Sequence, residues 1–383
     1  MIKNRRGDLL TILFCTSIFV FAAIFRVTFN QYSFNELLHG SDDWNRYARY
    51  ALDIKENGLL IKSLPENYII PAGFFYNYFV AACFFIFGNN IAAVYVIQCF
   101  ILGLTVSLTY FLFRPKMKPT TSLLFLITLI LFGFSDFFKY YSFRLLSENL
   151  AILTVVLFFI FYPKNNSSPS LPYLLLSGLF LGISVLTRPN ILPFAIILFL
   201  LILFKSIFNI TNFKYYWVML VSCFLFALLL PLRNYLVTGD LKILAADGTF
   251  FEYMTRANPL SLFENPQLFL GYYLTKIIYC FGFLPALDSA YHIRPHWIIM
   301  WTGYIIYLWF QLKKIITSFN IESVMHLFIF IYYLTLILIA PIQTYGFRMF
   351  LPCLLIVLGF AFIGLEKLVL KISKNSITSK VLP

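Results

Sequence analysis

Few residues in this sequence combine charge with a place beside an apolar run, and those few cluster in five short segments. The first is His39-Gly-Ser-Asp-Asp-Trp-Asn-Arg-Tyr-Ala-Arg-Tyr-Ala-Leu-Asp-Ile54. Gly40 and Ser41 suit a turn, and Asp42 or Asp43 can cap the helix that follows. On that helix Trp44, Tyr47, Ala48, Ala51 and Leu52 share one face, whereas Arg46, Arg49, Asp53 and Glu56 point elsewhere. This pattern predicts an amphipathic helix lying on a bilayer. A carboxylate held there is either a simple cap or a general base that takes a proton from an attacking hydroxyl.

The second segment is Tyr140-Tyr-Ser-Phe-Arg-Leu-Leu-Ser-Glu148, which leads into an apolar run. Glu148 there complements a helix dipole, supplies a second acid or ligates a metal. The third is Leu186-Thr-Arg-Pro-Asn190, where Pro189 breaks one helix just before another begins. Arg188 is expected to snorkel at the surface or to bind an anion. The fourth is Pro231-Leu-Arg-Asn-Tyr-Leu-Val-Thr-Gly239, with Arg233 and Asn234, and the fifth is Gln343-Thr-Tyr-Gly-Phe-Arg348. Arg188, Arg233 and Arg348 converging on one cleft with Asp43 and Glu148 would suit a phosphate ligand, because a guanidinium fork matches phosphate oxygens. His292 and His296 are separated by Arg294-Pro295, which speaks against a metal pair on one helix.

What positions these segments follows from composition. The 383 residues are 61% hydrophobic and only 12% charged. A soluble domain carries about 25% charged residues, and water cannot solvate this much apolar surface. The net charge of +13 forms no stripe, so nucleic acid is excluded as a partner. Cys15, Cys83, Cys99, Cys223, Cys280 and Cys353 show no C-x-x-C pair and read as small apolar residues.

The expected fold is therefore an all-α polytopic membrane protein. About 20 apolar residues cross a hydrocarbon core, and ten stretches qualify: 9–27, 91–113, 120–138, 149–162, 171–187, 190–208, 215–232, 297–312, 323–341 and 349–366. Two more, 71–87 and 268–287, carry Gly, Pro or several Tyr and are assigned to interfacial or re-entrant positions. With the N-terminus inside, the short inner loops hold Lys3, Arg5, Arg6, Arg114, Lys116, Lys118, Lys313 and Lys314, as the positive-inside rule requires. Two long loops, 28–90 and 233–296, then face outward, and all five polar segments sit at outer ends of spans. The expected organisation is a single transmembrane domain over 1–383. Asn209-Ile-Thr211 matches a glycosylation sequon but falls on the inner side.

In their order along the chain, these segments resemble the polytopic glycosyltransferases of the C superfamily, in particular bacterial relatives of the protein O-mannosyltransferases and of the lipid A aminoarabinose transferase. Their first outer loop carries an Asp with Tyr four and Ala eight residues on, a register that Asp43, Tyr47 and Ala51 match. The resemblance implies that Asp43 is the catalytic base, with Asp42 the alternative, and that Glu148 is the acid of the second outer loop. It implies that Arg188, Asn190, Arg233, Asn234, Arg348 and Tyr47 contact substrate. The family's Lys-Pro-Pro-Leu segment appears here as Tyr68-Ile-Ile-Pro-Ala-Gly73, so no Lys stands ready to pair with Glu148. No cofactor is implied with certainty; relatives that need a divalent metal carry more outer acids than this chain does.

The implied function is inverting transfer of a monosaccharide from a polyprenyl-phosphate carrier to a hydroxyl of a glycan, lipid or protein. The implied place is the outer face of a bacterial inner membrane. Two other readings are a flippase of polyprenyl-linked sugars and a polysaccharide polymerase or ligase. A flippase should show related halves and polar residues deep in several spans; this sequence has no internal repeat, and its charges gather at one face.

Overall fold

Every described segment of the computed structural model is helical or a short connection between helices. The described residues are 5–30, 43–60, 73–135, 140–162, 170–208, 213–239, 265–281, 295–317, 321–339 and 346–378. In chain order the α-helices are α1 (Arg5–Phe29), α2 (Asp43–Asn57), α3 (Phe74–Phe87), α4 (Ile91–Phe113), α5 (Pro119–Gly133), α6 (Glu148–Phe161), α7 (Leu171–Thr187), α8 (Leu192–Phe208), α9 (Phe213–Ala227), α10 (Leu229–Thr238), α11 (Pro266–Cys280), α12 (Pro295–Thr317), α13 (Ile321–Ile339) and α14 (Gly346–Thr378).

The protein is an all-α polytopic membrane protein. Gly7–Phe29, Ile91–Lys116, Tyr216–Val237 and Leu351–Ser373 are each long and apolar enough to span a bilayer. Leu9, Leu10, Phe14, Phe21 and Phe25 of α1 stand exposed, a surface that only lipid solvates well. Each of the ten apolar stretches contains a helix within its described residues. The two set aside, 71–87 and 268–287, are helices too, α3 and α11, of 14 and 15 residues. The stretch 215–232 is divided, because the helix breaks at Leu228 between α9 and α10. The last span runs on to Thr378, with Pro352 inside it.

The chain forms two compact units. The first comprises 1–112, 126–195 and 202–246; the second comprises 113–125, 196–201 and 247–383. In the first unit α7 lies against α6 and α9, and α2 against α3. Gly178 and Gly182 set the α7–α9 approach: a Cβ on Gly178 would stand 2.1 Å from the Met219 carbonyl oxygen, and one on Gly182 2.7 Å from that of Cys223. Small residues four apart are what let two backbones approach within a membrane, where packing rather than hydrophobicity drives association. The Ser184 hydroxyl donates to Thr154 Oγ1 at 2.9 Å and ties α7 to α6.

In the second unit α12 runs along α14 by the same means, with Gly364 against the Gly303 carbonyl. An aromatic cluster fills its interior, with Trp301 and Tyr333 stacked at 4.2 Å. Tyr333 and Tyr304 donate their hydroxyls to the carbonyls of Cys280 and His326. All six cysteines are buried, and none is in a disulfide.

Candidate active site

The first unit brings Asp43, Tyr47, Glu148 and Arg188 together. Asp43 opens α2 and is exposed. Tyr47 follows one turn later on the same face and is buried. Burial pushes its phenol up, Arg188 opposes that shift, and Glu148 and Asp43 add to it. The sign keeps the Tyr47 hydroxyl protonated at neutral pH. Its ring fills the space above Gly73, where a Cβ would meet it at 2.4 Å. Gly73 also has φ +92°, a conformation open to glycine and costly for other residues. The residue at the start of α3 therefore fixes the tyrosine on α2.

Glu148 and Arg188 are ion-paired, Arg188 Nη2 to Glu148 Oε1 at 3.1 Å, with both side chains buried. This corrects one expectation: Arg188 does not snorkel at a surface. Its Nη2 is engaged by Glu148, while its buried Nε meets no hydrogen-bond partner. Where some relatives place a Lys beside this acid, this chain uses the arginine of Thr-Arg-Pro-Asn. Tight packing between α6 and α7 makes that possible, since Glu148 starts one helix and Arg188 ends the other. Asn190 lies half-buried in the 3-10 turn Pro189–Ile191.

A buried polar network holds the segment before Glu148. Gln98, in the middle of α4, donates to the carbonyls of Ser142 (3.2 Å) and Arg144 (3.0 Å) and accepts from Tyr76 Oη (2.5 Å). Asn149 Nδ2 donates to Ser142 Oγ at 3.2 Å. Sequence reasoning missed Gln98, although a Gln within an apolar span is itself a signal for such a role.

Arg233 and Asn234 stand elsewhere in the unit. Both are buried, and Arg233 donates Nε to the Leu60 carbonyl (2.9 Å) and Nη1 to Asn234 Oδ1 (3.0 Å). Tyr78, Tyr50 and Asp53 act electrostatically on it, and Tyr78 Oη donates to the Leu59 carbonyl. Arg233 thus anchors the turn after α2. Asp53, expected on the polar side of α2, is buried and accepts from Asn57 Nδ2 at 2.7 Å. The reason is that α2 packs on α3, so its buried face takes in Asn45, Tyr50 and Asp53 as well as the apolar residues.

Asp42 lies outside the described residues, as do Tyr253 and His292. Arg348 lies near the start of α14, and its side chain is outside them too. Tyr273 donates its hydroxyl to the Leu334 carbonyl at 3.1 Å. Among the described residues no three His, Cys, Asp or Glu form a group able to hold a metal.

Residues 71–231 match the family model described as dolichyl-phosphate-mannose-protein mannosyltransferase. The resemblance to the C-superfamily polytopic glycosyltransferases therefore stands. The match covers less than half of the chain and supports a glycosyltransferase of mannosyltransferase-like type. The matched segment runs from just before α3 into α10 and contains Gly73, Gln98, Glu148, Arg188 and Asn190. Asp43 precedes it, and Arg233 follows it by two residues. No curated protein and no solved structure matches the chain.

Proposed function

We propose that this glycosyltransferase takes a monosaccharide from a polyprenyl-phosphate carrier and passes it, with inversion, to a hydroxyl acceptor on the outer face of the membrane. The observation that carries the reading is Asp43, exposed at the first turn of α2 and one turn from the buried Tyr47, on which Asp43 and the buried Glu148–Arg188 pair all act electrostatically. Asp43 removes the proton of the acceptor hydroxyl. The acceptor oxygen forms a bond to the anomeric carbon from the face opposite the phosphate. The bond from that carbon to the phosphate oxygen breaks, and its electron pair leaves with the polyprenyl phosphate. Developing negative charge on the leaving group calls for preorganised cations.

Glu148 in this reading is not a second proton carrier. Its pairing with Arg188 fixes the junction of α6 and α7 against which Tyr47 packs. The acceptor is a glycan, lipid or protein of the cell envelope, and the membrane is the bacterial inner one. No metal is required in this scheme.

The test is transfer of labelled sugar from polyprenyl-phosphate donors to a cell-envelope extract. Membranes would carry wild-type protein, Asp43→Asn or Asp42→Asn. Asp43→Asn should lower transfer by about 10²–10⁴-fold, the usual contribution of a general base, whereas Asp42→Asn keeps most of it. Wild-type rates in Asp43→Asn membranes would remove Asp43 from the chemistry.

A further inference from the structure

Arg144 is the arginine that the proposed reaction has so far left unused, and its surroundings single it out. Its guanidinium lies between two rings, with Cζ 4.2 Å from the centroid of Trp44 and 4.2 Å from that of Tyr140. Its backbone is pinned as well, because the Arg144 carbonyl accepts from the buried Gln98 amide. Stacking covers the two faces of a guanidinium and leaves its N–H bonds, which lie in the plane, directed outward. Among the described residues no acid or carbonyl takes a hydrogen bond from them, and the side chain is only half-buried. Trp44 is the residue after Asp43, so the clamp is tied to the first turn of α2.

The other arginines of the first unit considered for phosphate are engaged. Arg188 is paired with Glu148, and Arg233 gives Nε and Nη1 to Leu60 and Asn234. We infer that Arg144, clamped between Trp44 and Tyr140, is a phosphate-binding residue that receives the phosphate of the polyprenyl-linked donor and of the polyprenyl phosphate released from it. This rests on the donor class proposed above.

Charge makes the inference sharper. The donor is a phosphodiester with one negative charge, while the released monoester carries about 1.5–2 charges at neutral pH, as a phosphate with a second pKa near 6 does. A cation at this place therefore holds the product more tightly than the donor and favours the leaving group as its charge develops.

The experiment measures binding of polyprenyl monophosphate, and of polyprenyl alcohol as the uncharged control, to the full chain in lipid nanodiscs. Proteins are wild type, Arg144→Lys and Arg144→Gln, with sugar-transfer kinetics in parallel. The wild-type protein should prefer the phosphate to the alcohol. Arg144→Gln should weaken monophosphate binding by about 10–100-fold, the size of a lost charge-assisted hydrogen bond, with alcohol binding unchanged. Arg144→Lys keeps the charge but not the flat stack, and should fall between. The donor KM in Arg144→Gln should rise less than the monophosphate constant does.

Unchanged alcohol binding shows that the variant is folded. If monophosphate binding stays within two-fold of wild type in both variants while wild-type protein transfers sugar, Arg144 does not hold the phosphate and the donor class survives. If wild-type protein shows no preference for the phosphate and transfers no sugar, the donor class itself falls.

Discussion

The buried Glu148–Arg188 pair makes the sharpest demand on stability. At 3.1 Å and an effective dielectric constant of about 20, the attraction is about 5 kcal/mol before desolvation is charged against it. Both side chains are buried, at 0% and 7% exposure, so little solvent screening reduces it. Desolvation of two ions offsets much of the gain, and the pair's net worth against two neutral groups is small. Removing one partner is different, because it leaves the other charge buried and uncompensated, at a cost of roughly 3–5 kcal/mol.

Glu148→Gln and Arg188→Gln should each lower the unfolding midpoint of the detergent-solubilised protein strongly, whereas the double variant should recover more than half of either loss. The assay is a double-mutant cycle on thermal unfolding followed by loss of monodispersity, with abundance in membranes as a second readout. Losses that simply add in the double variant would refute the reasoning, since independent sites add and a direct pair does not. Recovered stability together with lost transfer would then separate the pair's structural role from a catalytic one.

Other consequences follow from the same geometry. Gly73→Ala puts a Cβ into the Tyr47 ring at φ +92° and should cost about 1–3 kcal/mol, read as a lower unfolding midpoint; an unchanged midpoint would mean that Tyr47 is not seated there. Gly178→Leu should prevent the α7–α9 approach at the Met219 carbonyl and reduce membrane-inserted protein sharply on immunoblots, whereas Leu175→Ala, at an exposed position on the same helix, should not. Gln98→Leu strands the Ser142 and Arg144 carbonyls and the Tyr76 hydroxyl; each buried group left unmet costs about 1–3 kcal/mol, so the variant should unfold at a clearly lower temperature than Gln98→Glu at low pH. Ser41→Cys should react with an impermeant maleimide from outside intact spheroplasts and Ser167→Cys only after permeabilisation; the reverse result would invert the topology.

The sequence determined the class. Apolar runs of membrane length, few charges and a Lys/Arg bias in the short loops leave helices across a bilayer as the available fold, because every backbone amide must be satisfied within the segment. The five polar segments at span ends were legible for the same reason: charge is costly at membrane depth and stands out against an apolar background. The Asp43–Tyr47–Ala51 register could be read along one helix because residues four apart share a face.

What the sequence could not decide is which charged groups pair. Glu148 and Arg188 are 40 residues apart, and only the packing of α6 on α7 sets them 3.1 Å from one another. Asp53 looked solvent-facing because helical periodicity is silent about a second helix; α3 lies against α2 and buries it. Arg144 has one of its two rings close by in sequence, Tyr140, but the other, Trp44, reaches it from 100 positions away. Local propensity and hydropathy depend on neighbours along the chain, whereas ion pairs, stacked cations and close glycine contacts depend on which helices touch, and that is settled by the fit of whole surfaces.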